Sequence, residues 1–255
     1  MGTSLASGAS LILKRAASEY NQYPLVNTCL LAPQQRRQVL QTLKSTYVTA
    51  IRTLEACGPL AHLGSDTGSA HPYGWRRWAS SLLAIYNVEK MIQLDLPWWN
   101  FAATISVEKF LRAHPDARVF EWGSGASTVW LARRSRQVVS IEHDADWHGT
   151  LAKQVDTRPQ VTLLRRDLSD ETYVGAIKEF EGGFDLIVVD GRQRAACLEQ
   201  ALPKLRPGGL ILFDNSGRRR YRQAIAGCGL EEQHFFGRTS CVPYPDHTSL
   251  LSRRG

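Results

Sequence analysis

From residue 118 onward, short apolar runs recur at regular intervals: RVFEW (118–122), QVVSIE (137–142), VTLLR (161–165), FDLIVVD (184–190) and GLILFD (209–214). They are rich in β-branched residues and close to continuously apolar, the pattern of strands covered on both faces. Between them, ASTVWLARRS, DADWHGTLAKQV and AACLEQALPKL are long enough to be helical crossovers. This alternation predicts an α/β fold: a doubly wound, mostly parallel sheet with helices on both sides. Pro207-Gly208-Gly209 predicts a break between the preceding helix and the fifth strand. After Tyr221 a further helix is expected, then LEEQHFF (230–236) and TSLLSR (248–253) as a closing antiparallel hairpin.

Upstream the period changes. QVLQTLKSTYVTAIRTLEACG (38–58) and WRRWASSLLAIYNVEKMI (75–92) carry apolar residues at helical spacing, separated by the Gly/Ser-rich GSDTGSAHPYG (64–74). The expected organisation is a helical extension over 1–95, covering an α/β domain over 96–255. No internal repeat is evident.

With 255 residues, 43% of them hydrophobic, the chain can bury a full core. No apolar run approaches the roughly 20 residues of a membrane span, and no signal-peptide pattern opens the chain, so a soluble, cytoplasmic protein with no membrane partner is expected. MGTSLASGASLILKRAAS (1–18) is Ser-rich and free of acids, a weak likeness to an organelle transit peptide; a terminal helix is the plainer reading. Five cysteines without a C-x-x-C pair suggest reduced, buried thiols. The net charge of +7 admits an acidic partner, with Arg133-Arg134-Arg136, Arg165-Arg166 and Arg218-Arg219-Arg220 as candidate patches. Only Tyr221 adds an aromatic to them, so nucleic acid is a possible partner but not the favoured one.

The chemistry lies at the strand ends. Each of the five strands finishes at or beside an acid: Glu121, Glu142, Asp167, Asp190 and Asp214. In an open parallel sheet ligands bind beyond those ends, and strands about 4.8 Å apart would line the acids along one crevice. Glu142 follows Glu121 by about 20 residues, where a βαβ unit places the acid that receives ribose hydroxyls. The turn Gly123-Ser124-Gly125 lets backbone approach a ligand, and the helix start Ala126-Ser127-Thr128 offers free N–H groups to a carboxylate. A pyrophosphate would be repelled by such acids. S-adenosylmethionine, a nucleoside carrying an amino acid and a sulfonium, would be favoured.

At these residues the chain resembles the class I S-adenosylmethionine-dependent methyltransferases, over roughly 95 to 252. EWGSGAST looks like that superfamily's first motif, SIEHD its second, RRDL its third, FDLIVVDG its fourth and LRPGGLILFDN its fifth-strand signature. The resemblance implies a Rossmann-like seven-stranded sheet of order 3-2-1-4-5-7-6. It implies Glu121, Gly123, Ser124, Gly125 and Ser127 around the methionine part, Glu142 on the ribose, and Asp167 or Leu168 near adenine. His143 and Trp147 would flank the purine, Asp190 would close the cofactor site, and Trp98 and Trp99 are the lid candidates.

VVDGRQRAACLEQALPKL is similar to glucuronoxylan O-methyltransferases. Asp190 with Asp214-Asn215 looks like the metal triad of catechol and caffeoyl-CoA O-methyltransferases. Both point to a hydroxyl acceptor on a small molecule or sugar, with Asp190 and Asp214 as catalytic acids and either Asp190, Asp214 and Asn215 as ligands of Mg²⁺ or the two acids closing the pocket with no ion. One departure stands out: where the catechol enzymes carry a lysine base, this chain has Arg192-Gln193-Arg194, and arginine is a poor base. The alternatives are an RNA methyltransferase and a catalytically silent binding protein of the same fold. Asp144 and Asp170 are expected only to cap helices.

Overall fold

The computed structural model describes residues 71–85, 87–169 and 171–254. The helix expected over 38–58, the amino-terminal segment and the Asp170 cap lie outside the described residues. Seven strands form one sheet: β1 (Arg118–Trp122), β2 (Gln137–Glu142), β3 (Val161–Arg165), β4 (Phe184–Val189), β5 (Leu205–Asp214), β6 (Glu231–Gly237) and β7 (Asp246–Ser252). Their order is β3-β2-β1-β4-β5-β7-β6, parallel except for β7, which runs antiparallel to both β5 and β6. The reversal lies between β1 and β4, where the two halves of the sheet diverge.

Alternate side chains of each strand enter opposite cores. Phe120, Trp122, Val139, Ile141, Ile187 and Val189 pack on one face against Tyr173, Ile177, Leu198 and Tyr221. Val119, Val138, Leu186, Val188 and Leu212 pack on the other against Val107, Leu111, Trp130 and Leu131. That double coverage is why the strands read as continuous apolar runs.

The helices are α1 (Trp75–Leu82), α2 (Val88–Leu94), α3 (Phe101–Ala113), α4 (Ala126–Ala132), α5 (Ala145–Val155), α6 (Thr172–Gly175), α7 (Arg194–Ala201) and α8 (Arg219–Gly227). The stretch read as one helical pattern over 75–92 is two helices. Asn87 starts the second, its side chain accepting the Lys90 N–H at 3.1 Å. Helix α3 went unread in the sequence. Asn100 caps it, accepting the N–H groups of Ala102 (2.9 Å) and Ala103 (3.3 Å), and its own amide donates to the Asp246 carbonyl on β7.

The Pro-Gly-Gly break also falls elsewhere than expected. Pro207-Gly208-Gly209 lies inside β5, where the register with β4 jumps between Phe184 and Leu186. Gly208 takes φ +75°, and the strand bulges there instead of starting afterwards.

Candidate active site

The first three acids step along the sheet edge, each two positions beyond the partner of the one before. Glu121 pairs with Ser140 on β2, and Glu142 with Arg165 on β3, so their side chains belong to the carboxyl edge of a single sheet. Glu121 itself is completely buried. Ser127 Oγ donates to its Oε1 at 2.5 Å, and Thr128 Oγ1 and Ser140 Oγ donate to Oε2 at 2.6 Å each. Thr128 Oγ1 also accepts the Gly125 N–H at 3.0 Å, and Ser124 Oγ lies 2.6 Å from Ser140 Oγ. The carboxylate therefore organises the turn from beneath. Burial pushes it up to about 7 against the opposing pull of its three hydroxyl donors.

Above it the backbone is tightly packed. Gly123 has φ +94°, and a Cβ there would stand 2.6 Å from the amide nitrogen of Gly191, in the loop after β4. Gly191 faces the Tyr173 hydroxyl in the same way. Gly125 differs: a Cβ would meet nothing closer than Ser127 Oγ at 3.8 Å, so no protein atom demands glycine there. Trp147 is fastened to the turn, its indole N–H donating to the Ser124 carbonyl at 2.8 Å.

Glu142 is buried, and its oxygens are unequal. Oε1 accepts the N–H groups of His143 (2.8 Å) and Asp144 (2.9 Å) and lies 2.7 Å from His143 Nδ1. Oε2 takes no hydrogen bond from any described residue. Asp144 caps α5 as expected, accepting the Trp147 N–H at 2.9 Å. Asp167 is exposed, and the backbone and hydroxyl of Ser169, at 2.9 and 2.8 Å, hold its carboxyl below the usual range. Leu168 packs partly on the core beside it.

The two remaining acids are bridged by a residue the sequence reading had only discounted as a base. Gln193 adopts a left-handed conformation (φ +48°), and Arg194 opens α7 pointing back at the strand ends. Its Nη2 donates to Asp190 Oδ1 (2.8 Å) and to the Asp190 carbonyl (2.6 Å). Nη1 donates to Asp214 Oδ2 (3.3 Å) and to the Asp214 carbonyl, and Nε to the Gly191 carbonyl (3.0 Å). Asp190 Oδ2 accepts the Trp99 indole N–H at 3.1 Å, and Asp214 Oδ1 the Thr248 hydroxyl at 2.8 Å. Burial, and then the charge of Asp214, push the Asp190 carboxyl well above its usual range, while Arg194 opposes them.

This arrangement does not support the expected Mg²⁺ triad. Every carboxylate oxygen of Asp190 and Asp214 already holds a donor. Asn215, at φ +50°, turns its amide nitrogen to Asp246 Oδ2 at 2.9 Å. Among the described residues no cluster of three or more His, Cys, Asp or Glu could hold an ion. Trp99 is a core residue, edge-on to Trp130 and fixed on Asp190, and Trp98 is half-buried beside it.

This strand order, with a glycine turn after β1 and an acid at each following strand end, defines the class I S-adenosylmethionine-dependent methyltransferase fold. Residues 120–216 match the family model described as a methyltransferase domain. No curated protein sequence matches it. Among solved structures, a Klebsiella pneumoniae protein proposed to be an O-methyltransferase is similar over 69% of this chain and 90% of that one, at 22% identity and TM-score 0.52. A Staphylococcus aureus protein proposed to be a caffeoyl-CoA O-methyltransferase is similar over 63% and 87%, at 16% identity and 0.47. An rRNA methylase of Streptococcus thermophilus is similar over 59% and 95%, at 12% identity and 0.47. At these identities the first likeness speaks for the fold alone, and the other two are too distant to argue from.

Proposed function

We propose that the chain is an S-adenosylmethionine-dependent methyltransferase acting on a hydroxyl of a small molecule or sugar. The observation that carries the cofactor reading is Glu142. Two backbone N–H groups fix one oxygen of this buried carboxylate, and the other is left without a partner at the crevice edge. That oxygen keeps acceptor capacity toward the crevice, where a ribose diol would donate to it. Bound there, the cofactor would supply a methyl group on a sulfonium centre.

The chain's own residues supply the rest. Gly123 and Gly191 keep the first turn and the fourth strand end in contact, so cofactor and acceptor sides cannot drift apart. Ser124, Gly125 and Ser127 shape the methionine end, with Glu121 beneath them as their anchor. Leu168, Asp167 and His143 border the adenine end, and Trp98 covers the site. Asp190 takes the acceptor's proton: burial and the charge of Asp214 raise its proton affinity, and Asp214 stands behind it, buried. No step requires Mg²⁺.

Oxygen is favoured over RNA because two arginine clusters are engaged within the chain. Arg133 and Arg134 pair with Asp95, Arg134 also with Glu108, and Arg166 with Glu179. Calorimetry with S-adenosylhomocysteine tests the site. Glu142→Ala is expected to weaken binding roughly tenfold or more, the scale of a charged hydrogen bond. Equal affinity would remove Glu142 from it. Binding of tRNA or rRNA that weakens steeply with salt would favour the RNA reading instead.

A further inference from the structure

We propose that Arg194 is a built-in cation: its guanidinium stands between the carboxylates of Asp190 and Asp214, where a divalent metal would have to sit, and the site works without one. The inference rests on the methyltransferase reading for its consequence, though not for its chemistry. A guanidinium has five N–H donors, and all five of Arg194's are used on the strand ends: two on Asp190, two on Asp214 and one on Gly191. The two carboxylate oxygens it leaves over are closed by Trp99 and Thr248.

Mg²⁺ would need oxygens at about 2.1 Å in near-octahedral array. To reach Asp190 and Asp214 it would have to displace Arg194, leaving a buried guanidinium beside a doubly charged ion. Arg194 is itself buried, with the ring of Tyr221 5.9 Å from its charged carbon. The charge a metal would bring is thus supplied by the chain, with the donors already aimed.

Arg194 acts on the reaction through Asp190, so it is a positioning residue, and its removal can be read through metal binding. Titration of the wild-type protein with MgCl₂ is expected to give no saturable heat, and S-adenosylhomocysteine affinity is expected to be the same in EDTA and in millimolar Mg²⁺. In Arg194→Ala the two carboxylates lose their partner. The variant is expected to bind S-adenosylhomocysteine roughly tenfold more weakly, and to acquire Mg²⁺ binding that restores part of the loss. Arg194→Lys, which keeps the charge without the fork, should fall between and gain no Mg²⁺ site; with the wild type it decides the matter if the alanine variant does not fold.

One Mg²⁺ bound per wild-type chain, or weaker cofactor binding in EDTA, would overturn the proposal. A loss in Arg194→Ala that Mg²⁺ leaves unrelieved would do the same. If the wild type bound no S-adenosylhomocysteine at all, the cofactor reading would fail, while the MgCl₂ titration would still report on the acid pair.

Discussion

The two turn glycines separate structural from ligand constraints. Gly123 is required by the protein: its φ of +94° and the Gly191 backbone leave no room for a methyl group. Gly125 has room for one. Gly123→Ala is therefore expected to lower stability by a few kcal/mol, roughly the 1 to 3 of backbone strain plus the clash. Gly125→Ala should melt like wild type yet bind S-adenosylhomocysteine more weakly. Thermal melts and calorimetry on the two variants read this, and a destabilised Gly125→Ala would contradict it. The sequence showed both glycines alike, because which of them meets backbone depends on Gly191, almost seventy positions away. Arg194 was hidden for the same reason: five acceptors on three residues from two chain segments are not encoded by spacing.

At the level of elements, the strands were legible and the helix edges less so. RVFEW, QVVSIE and VTLLR are β1, β2 and β3 residue for residue; burial of β1 and β2 on both faces, and partial burial of the edge strand β3, leave an apolar signature. Helix α3 escaped because its buried positions, Phe101, Thr104, Val107 and Leu111, include a threonine and interleave with half-apolar surface. Asn100 was its readable signal. Asn100→Ala should cost about 1 kcal/mol for the cap, and more if the bond to Asp246 also counts. Urea melts test this, and an unchanged midpoint would show the cap to be idle. Pro207-Gly208-Gly209 misled because the same residues that end a helix also make a bulge, and only the β4 register distinguishes them.

Across the whole molecule, buried acids tie stability to pH. Glu121 titrates near 7 in the fold against roughly 4.3 unfolded, so between these values the native state holds more protons than the unfolded chain. Stability should then fall as pH rises from about 4.5 to 7, by at most about 4 kcal/mol from this group. Asp190, also raised, adds to the same slope. Glu121→Gln should flatten the decline in chemical melts at pH 5, 6 and 7. A steeper decline in the variant would contradict the assignment.

The strands and the row of strand-end acids rest on hydrophobic periodicity and charge position, which a sequence carries, while the sheet order followed from the resemblance of its motifs. Asp190's partners and the exclusion of a metal rest on side-chain reach, which it does not.

The most direct measurement is a pair of titrations on the wild-type protein, S-adenosylhomocysteine in one cell and NAD⁺ in another. Saturable binding of the first and no heat from the second is the predicted result, because the acids at the sheet's carboxyl edge favour an aminoacyl nucleoside and repel a pyrophosphate. Saturable NAD⁺ binding with no response to S-adenosylhomocysteine would contradict the account.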